Sequence, residues 1–354
     1  MPLVQNFRGA RILKAKRARA LRGRPAWQVV VPESPELRDG YAIAAKYESE
    51  FSRAFLGAVR EMITPEIERD IQRAWRSGDP AKVLAAIPYF GIEADADVWA
   101  KFTSRLSVAY LSVIQASGDA ATGDLNKALG TDLVFTALPP DAPPPDEAIA
   151  KSMEDVRRAA EGLTVGVNPY SIKWVNERGL DLVKQSITEQ QRRVVSDMIE
   201  NAMAEGVRPT ELAKRIKASI GLTAREHNAV LNREDLLESQ GYEPREVAAI
   251  SSAYREKLLV KRAKRIARTE TIAAQSQGRR AAWLTAQDSG KLPAVRRRWI
   301  ARAPSDNPNA PCEICLALDG TTATLDGEYE SIYGTFAGPP AHPQCSCTEA
   351  LERA

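Results

Sequence analysis

Apolar positions recur at helical spacing over most of this chain. Ile43, Tyr47, Phe51, Phe55 and Val59 fall four apart, which predicts one buried helical stripe ending near Met62. Ser34-Pro35-Glu36 supplies a cap and a first-turn proline ahead of it, and residues 28–32 read as a short extended lead-in. Thr64-Pro65-Glu66 restarts a helix that runs to about Arg76, and Ser77-Gly78-Asp79-Pro80 makes a turn into a third carrying Val83, Leu84 and Ile87. Trp99 to Gln115 forms another, with Phe102, Leu106, Tyr110 and Ile114 aligned. The prolines of residues 138–146 exclude regular helix and predict a stiff linker. Periodicity returns in residues 178–205 through Leu182, Ile187, Val194, Met198 and Ile199, ended by Gly206. Pro209 opens a helix with Leu212, Ile216 and Ile220 on one side, stopped by Gly221. Residues 222–240 are helical or turn-like, and Glu246 to Asp288 form one long or twice-broken helix before Gly290 and Pro293. Only the part from Ala294 onward reads as β-rich, beginning with Arg298-Trp299-Ile300.

These patterns predict a mainly α protein with an N-terminal helical domain, a central helical domain and a small C-terminal α+β lobe. The expected division is a basic, disordered arm at 1–27, a helical docking domain at 28–137, a linker at 138–147, a helical part at 148–293 and the lobe at 294–354. Sparse aromatics and abundant alanine suit that class. No apolar run reaches the length of about 18 residues that a membrane helix needs, so no membrane partner is expected. The N-terminus lacks the hydrophobic stretch of a secretory signal, and it lacks the serines of an organelle transit peptide.

Charge changes the picture locally. The 49 Lys+Arg nearly balance the 46 Asp+Glu, yet residues 1–25 are basic without an acid. Lys14, Lys16, Arg17 and Arg19 lie there, and a second basic region from Arg255 to Arg302 holds Lys261, Arg262, Lys264 and Arg265. Both are candidate contacts to double-stranded DNA, through phosphates and therefore independent of base sequence and sensitive to salt. A solvated tail without a partner would have the same composition.

The lobe holds all four cysteines and one of the two histidines, as Cys312-x-x-Cys315 and His342-Pro-Gln-Cys345-Ser-Cys347. Five soft donors stand where tetrahedral zinc needs four. The preferred ligand set is Cys312, Cys315, His342 and Cys347, with Cys345 as the alternative, because two cysteines two apart on an extended segment point to opposite sides. Asp319-Gly320 and Asp326-Gly327 in the spacer favour hairpin turns. Buried reduced thiols, or disulfides outside a cell, would use the same residues. Three enzyme readings fail. A zinc deaminase needs an upstream H-x-E, and the upstream His227 has none. A histidine-metal nuclease needs a second histidine in the lobe. A thioredoxin-like C-x-x-C would start a helix after a buried strand, whereas this one follows a Pro/Asn-rich loop. No G-x-S-x-G, P-loop, H-E-x-x-H or dinucleotide fingerprint occurs.

Four pieces in order carry a resemblance: Ile266-Ala267-Arg268-Thr269-Glu270-Thr271, the strand with Trp299, Cys312-x-x-Cys315-x-x-Leu318-Asp319-Gly320, and Pro339-Pro340-x-His342-Pro343-x-Cys345-x-Cys347. Over roughly residues 165–348 the chain resembles the phage Mu F-like head morphogenesis family of minor capsid, or minor head, proteins. Asp197 to Gly221 resembles the family's helix-Gly-turn-helix, and the N-terminal 140 or so residues match its portal-side helical region loosely. Ser346 stands where the family usually has a basic residue. The resemblance implies a non-enzymatic structural protein of a tailed phage or prophage. Such a protein associates with the portal protein and the major capsid or scaffold proteins in the procapsid. It resides in the virion, at the head interior or portal vertex, after assembly in the host cytoplasm, and it contacts or leaves with the DNA. Two further classes compete: a zinc-dependent nucleic-acid-binding module, and an effector enzyme carried on a head-protein scaffold. Arg268 and Glu270, two apart on a helix, cannot pair with each other. They are expected to tether that helix to the Cys312–Gly320 turn, with Asp319 as the partner of Arg268.

Overall fold

The computed structural model describes residues 42–61, 64–87, 96–133, 135, 168, 170–171, 174, 190–302 and 311–354. The arm with Lys14, Lys16, Arg17 and Arg19, the lead-in at 28–32, the proline-rich stretch 138–146 and residues 178–189 lie outside this set.

Among the described residues, helices come first: α1 (Ala42–Glu61), α2 (Pro65–Arg76), α3 (Pro80–Ala85), α4 (Ala96–Leu129), α5 (Gln190–Glu205), α6 (Pro209–Ser219), α7 (Ala224–Ser239) and α8 (Pro244–Asp288). Local chemistry sets the breaks. Thr64 caps α2 by accepting from the Ile67 N–H, and Asp79 caps α3 by accepting from the Ala81 N–H, each with proline next in the chain. Thr223 and Glu226 form a reciprocal capping box on α7. Gly206 and Gly221 take φ of 65° and 84° just past α5 and α6, which a side chain would resist. α4 runs well beyond the expected end at Gln115, through Gly118 and Gly123. Gly118 is used there: a Cβ on it would lie 2.3 Å from the Phe135 ring, so the missing side chain makes room for that ring.

α8 is unbroken over 45 residues. It is buried nearly all round from Ala263 to Ala286, with Ala263, Ala267, Ala273, Ala274, Gly278, Ala281, Ala282 and Ala286 among its covered positions. Small residues let α1 and α4 approach its axis closely. The crossing is tightest at Gly278, where a Cβ would stand 2.4 Å from the carbonyl oxygen of Ile114. Side chains from α1 to α4 and from α5 to α8 enter one continuous apolar cluster, from Ile43, Phe51 and Phe55 to Ile216, Leu259 and Ala282. The N-terminal and central helical segments therefore share a core. Tyr110 of α4 sits inside it, edge-on to Phe51 at 4.8 Å, and donates to the buried Glu270 of α8 at 2.8 Å.

The lobe follows as β1 (Val295–Ile300), α9 (Glu313–Leu318), β2 (Thr322–Ala323), β3 (Tyr329–Ser331), β4 (Gly334–Phe336) and β5 (Thr348–Arg353). β1 is central in an antiparallel sheet ordered β2-β1-β5, with Arg297 opposite Leu351 and Trp299 opposite Glu349. The Asp-Gly pairs do not close the hairpin. Asp319 and Gly320 (φ 80°) end α9, and Gly327 donates to the Thr324 carbonyl in a bend. The β3–β4 hairpin turns instead through Ile332 and Tyr333, with Gly334 at φ 116°. A glycine one position past the turn tip does the work that Asp-Gly would do within it.

Candidate metal centre

Five donor side chains come from two short pieces of backbone. Cys312 is the residue capping α9 and Cys315 lies in its first turn. The knuckle is thus a helix start. The second piece is a four-residue turn: Cys345 N–H donates to the His342 carbonyl at 3.1 Å, Pro343 holds the second position, and Gln344 takes φ 63° at the third. That is the geometry of a type II turn.

The structure brings all five sequence-derived donors together. His342 Nε2 lies 3.1 Å from Cys312 Sγ and 3.0 Å from Cys315 Sγ, and Cys315 Sγ lies 3.6 Å from Cys345 Sγ. Two triads result, Cys312–Cys315–His342 and Cys315–Cys345–Cys347, each with donor atoms within 4.8 Å of one another. Cys345 and Cys347 do not diverge as an extended segment would require, because the chain is turned at Cys345 and enters β5 only at Thr348. Cys312 is exposed, and the other three cysteines are buried among Trp299, Leu318, Ala323 and Tyr329.

This donor set fits a soft divalent metal. Zinc–sulfur bonds of about 2.3 Å imply tetrahedral sulfur–sulfur edges of about 3.8 Å, close to the Cys315–Cys345 separation. The Nδ1 of His342 is 2.8 Å from the Pro343 carbonyl oxygen and so carries a proton. Nε2 is then left to face the sulfurs, the orientation that metal-ligating histidines are given by their outer partners. Without metal, hydrogen bonds from Cys315 and then Cys347 draw the Cys345 thiol far below its ordinary value. The hydrogen bond to Cys345, opposed by burial, raises His342 to about 9. Hydrogen bonds to Cys345 and Cys347, followed by burial, push Cys315 up. Cys347 rises to about 12, since its bond to Cys315 lowers it less than its bond to Cys345 and burial raise it.

α8 is tied to the lobe through Thr269, the residue between Arg268 and Glu270. Asp319 accepts from the Ala301 N–H at 3.0 Å, closing the end of α9 onto the end of β1. Gly320 N–H donates to the Trp299 carbonyl beside it at 2.9 Å. Thr269 reaches the centre: the Gln344 N–H donates to its Oγ1 at 3.1 Å. Glu270 accepts from Tyr110 in the helical core.

Two of the expected DNA contacts on α8 are structural. Arg262 is buried, donates to the Gly221 carbonyl at 2.9 Å and lies over the Phe55 ring; burial lowers its pKa. Arg265 is ion-paired with Glu226. With Arg255, which donates to the Ala218 and Ile220 carbonyls, they bind the α6–α7 segment to α8, because a helix end leaves carbonyls that cations satisfy. Lys261 and Lys264 are exposed.

Sequence reasoning missed the lobe's second anchor. Arg297 and Glu349, 0% and 1% exposed, pair at 2.9 Å. Arg297 also donates to the carbonyls of Thr324, Ala337 and Gly327. Glu349 accepts from Tyr329 and from Ser276 of α8, each at 2.9 Å. Burial, and then the Glu349 charge, push the Tyr329 hydroxyl up, so it stays a donor. Arg279 donates to Thr348 and Arg280 to the Leu325 carbonyl, so α8 grips the lobe along one face. Strand parity was the available signal: Arg297 shares its side of β1 with buried Trp299.

Residues 193–350 match the family described as Phage Mu protein F like protein. The matched stretch takes in nearly all of α5, all of α6 to α8 and the lobe into β5, and it contains every motif of the resemblance. The relationship to the phage Mu F-like head morphogenesis family is therefore shown over this region. No curated protein and no solved structure matches the chain significantly.

Proposed function

We propose that this chain is a minor structural or assembly protein of a tailed-phage head, acting at the portal and the procapsid interior without enzymatic chemistry of its own. The observation carrying this reading is that the family-matched region is built as one unit, with the lobe fixed along α8 through Thr269, Ser276, Arg279 and Arg280. The α1–α4 segment, sharing that unit's core, is the part we assign to docking on the portal and on the major capsid or scaffold proteins. Zinc is the metal that three thiols and an imidazole select, and its role is to hold the lobe together. Contact with packaged DNA is assigned to the basic arm of Lys14, Lys16, Arg17 and Arg19 together with Lys261 and Lys264. It would be independent of base sequence and would weaken steeply with salt. Among the described residues no helix is long and apolar enough to cross a membrane. A cavity between α1 and α4, beside Ile43, Tyr47, Ala116 and Ala120, shares no residue with the thiol cluster.

Peptide mass spectrometry across a density gradient of a producing lysate tests this. Co-migration with capsid and portal peaks at a few copies per particle is the expected result. Recovery in the soluble fraction alone would remove the virion assignment.

A further inference from the structure

Zinc in the lobe leaves one donor too many, and the backbone says which. We infer that the metal is held by two turn-paired couples, Cys312 with Cys315 and His342 with Cys345, and that Cys347 is an outer partner rather than a ligand. This rests on the reading of the lobe as a zinc centre and replaces the sequence-based preference for Cys347.

The two couples have the same construction. Cys312 and Cys315 are first and fourth residues of the opening turn of α9. His342 and Cys345 are first and fourth residues of the type II turn, joined by the 3.1 Å hydrogen bond. A β-turn brings its first and fourth Cα atoms within about 7 Å, so each couple offers two donors from one rigid bend. The contacts cross between the couples: His342 to both Cys312 and Cys315, and Cys345 to Cys315 at 3.6 Å. Cys347 lies past the turn, adjoining Thr348 at the start of β5; it shares the triad of Cys315 and Cys345, but it is Cys345 that also bonds His342, while Cys347 bonds the two cysteines. From there its S–H can donate to a coordinated sulfur, the role of an outer-shell group.

The arrangement also explains Thr269. Its hydroxyl oxygen holds the N–H of Gln344, the residue whose positive φ forms the turn between His342 and Cys345. Thr269 is thus a positioning residue that couples the His342–Cys345 chelate to α8.

The full-length chain, loaded with Zn²⁺ and then exchanged to Co²⁺, tests this by metal content and by the sulfur-to-cobalt charge-transfer band. Wild type should hold one metal per chain with three-thiolate intensity. C345S should lose about a third of that intensity and bind at least about 100-fold more weakly, beyond the roughly 10–100-fold range of outer-shell changes. C347S should keep the full intensity and lose no more than about tenfold in affinity, at the lower edge of that range. The far-ultraviolet circular dichroism of the helices checks folding. If C345S fails that check, C345H restores a donor and should bind with two-thiolate intensity. Full three-thiolate intensity in C345S or C345H, or one thiolate lost in C347S, would overturn the assignment while leaving zinc in place. A wild-type chain that takes up neither metal would overturn the zinc reading itself.

Discussion

The helical body and the C-terminal lobe are held by different physics. The body spreads its stability over many apolar contacts, each worth about 1.5–3 kcal/mol when a Val, Leu, Ile or Phe side chain is fully buried. Its core runs from α1 to α8 without a dominant member. The lobe has few apolar residues around Trp299 and Tyr329. It relies on directional groups instead: one buried ion pair bonded on both sides to neighbouring carbonyls and hydroxyls, and a cluster of thiols and imidazole. A small module cannot bury enough surface to fold on packing alone, so polar chemistry of defined geometry takes over. Such a module is specific and brittle, whereas a distributed core degrades gradually.

Removing one partner of the lobe's ion pair should give the largest effect. Glu349→Ala strands Arg297 in the interior, and breaking a buried pair costs about 3–5 kcal/mol. Loss of the lobe's tryptophan fluorescence environment at lower denaturant than the helical circular dichroism would show that the lobe fails first. A single coincident transition shifted by less than about 1 kcal/mol would put the ion pair on the same footing as ordinary contacts and erase the contrast.

Next in size is a change in the body. Gly278→Val forces a branched side chain against the Ile114 carbonyl, and overpacking costs about 1–3 kcal/mol. The helical transition should move while metal affinity stays within a factor of two or so. An unchanged midpoint would mean that the crossing of α4 over α8 is not close-packed.

The smallest expected effect is a pH dependence of the body. Burial, and then the nearby Arg255 charge, hold His227 below its ordinary 6.5. The folded chain therefore takes up this proton less readily than the unfolded chain. Its contribution is complete above pH 6.5 and is lost as pH falls through the lower folded value. His227→Gln should flatten the fall in stability as pH drops below 6.5. Midpoints with the same slope in both proteins would show that His227 does not report the packing of α7 on α8.

Helix punctuation was legible without a structure. Thr64-Pro65, Asp79-Pro80, Gly206, Pro209 and Gly221 act within a turn of their own position, and each helix end falls where they put it. The stripe of Phe51, Phe55 and Val59 is buried as its spacing predicted. The extension of α4 was not legible, because Gly118 counts against a helix until Phe135 is seen to occupy its missing side chain. Nor could the basic run on α8 be divided by composition. Arg262 and Lys261 are neighbours in sequence, yet one bonds the end of α6 inside the core and the other meets solvent.

The sequence by itself determined the helical class, the places where helices start and stop, the family over residues 193–350, and the presence of a soft-donor lobe. Each depends on local spacing or on residue identity. Tertiary structure alone decided that the N-terminal and central helices share a core, that Arg297 and Glu349 are partners, and that Cys345 sits within the cluster. Those outcomes depend on which segments meet across the fold. The Arg297–Glu349 pair spans 52 residues of chain, and nothing in the local pattern of either residue records the other.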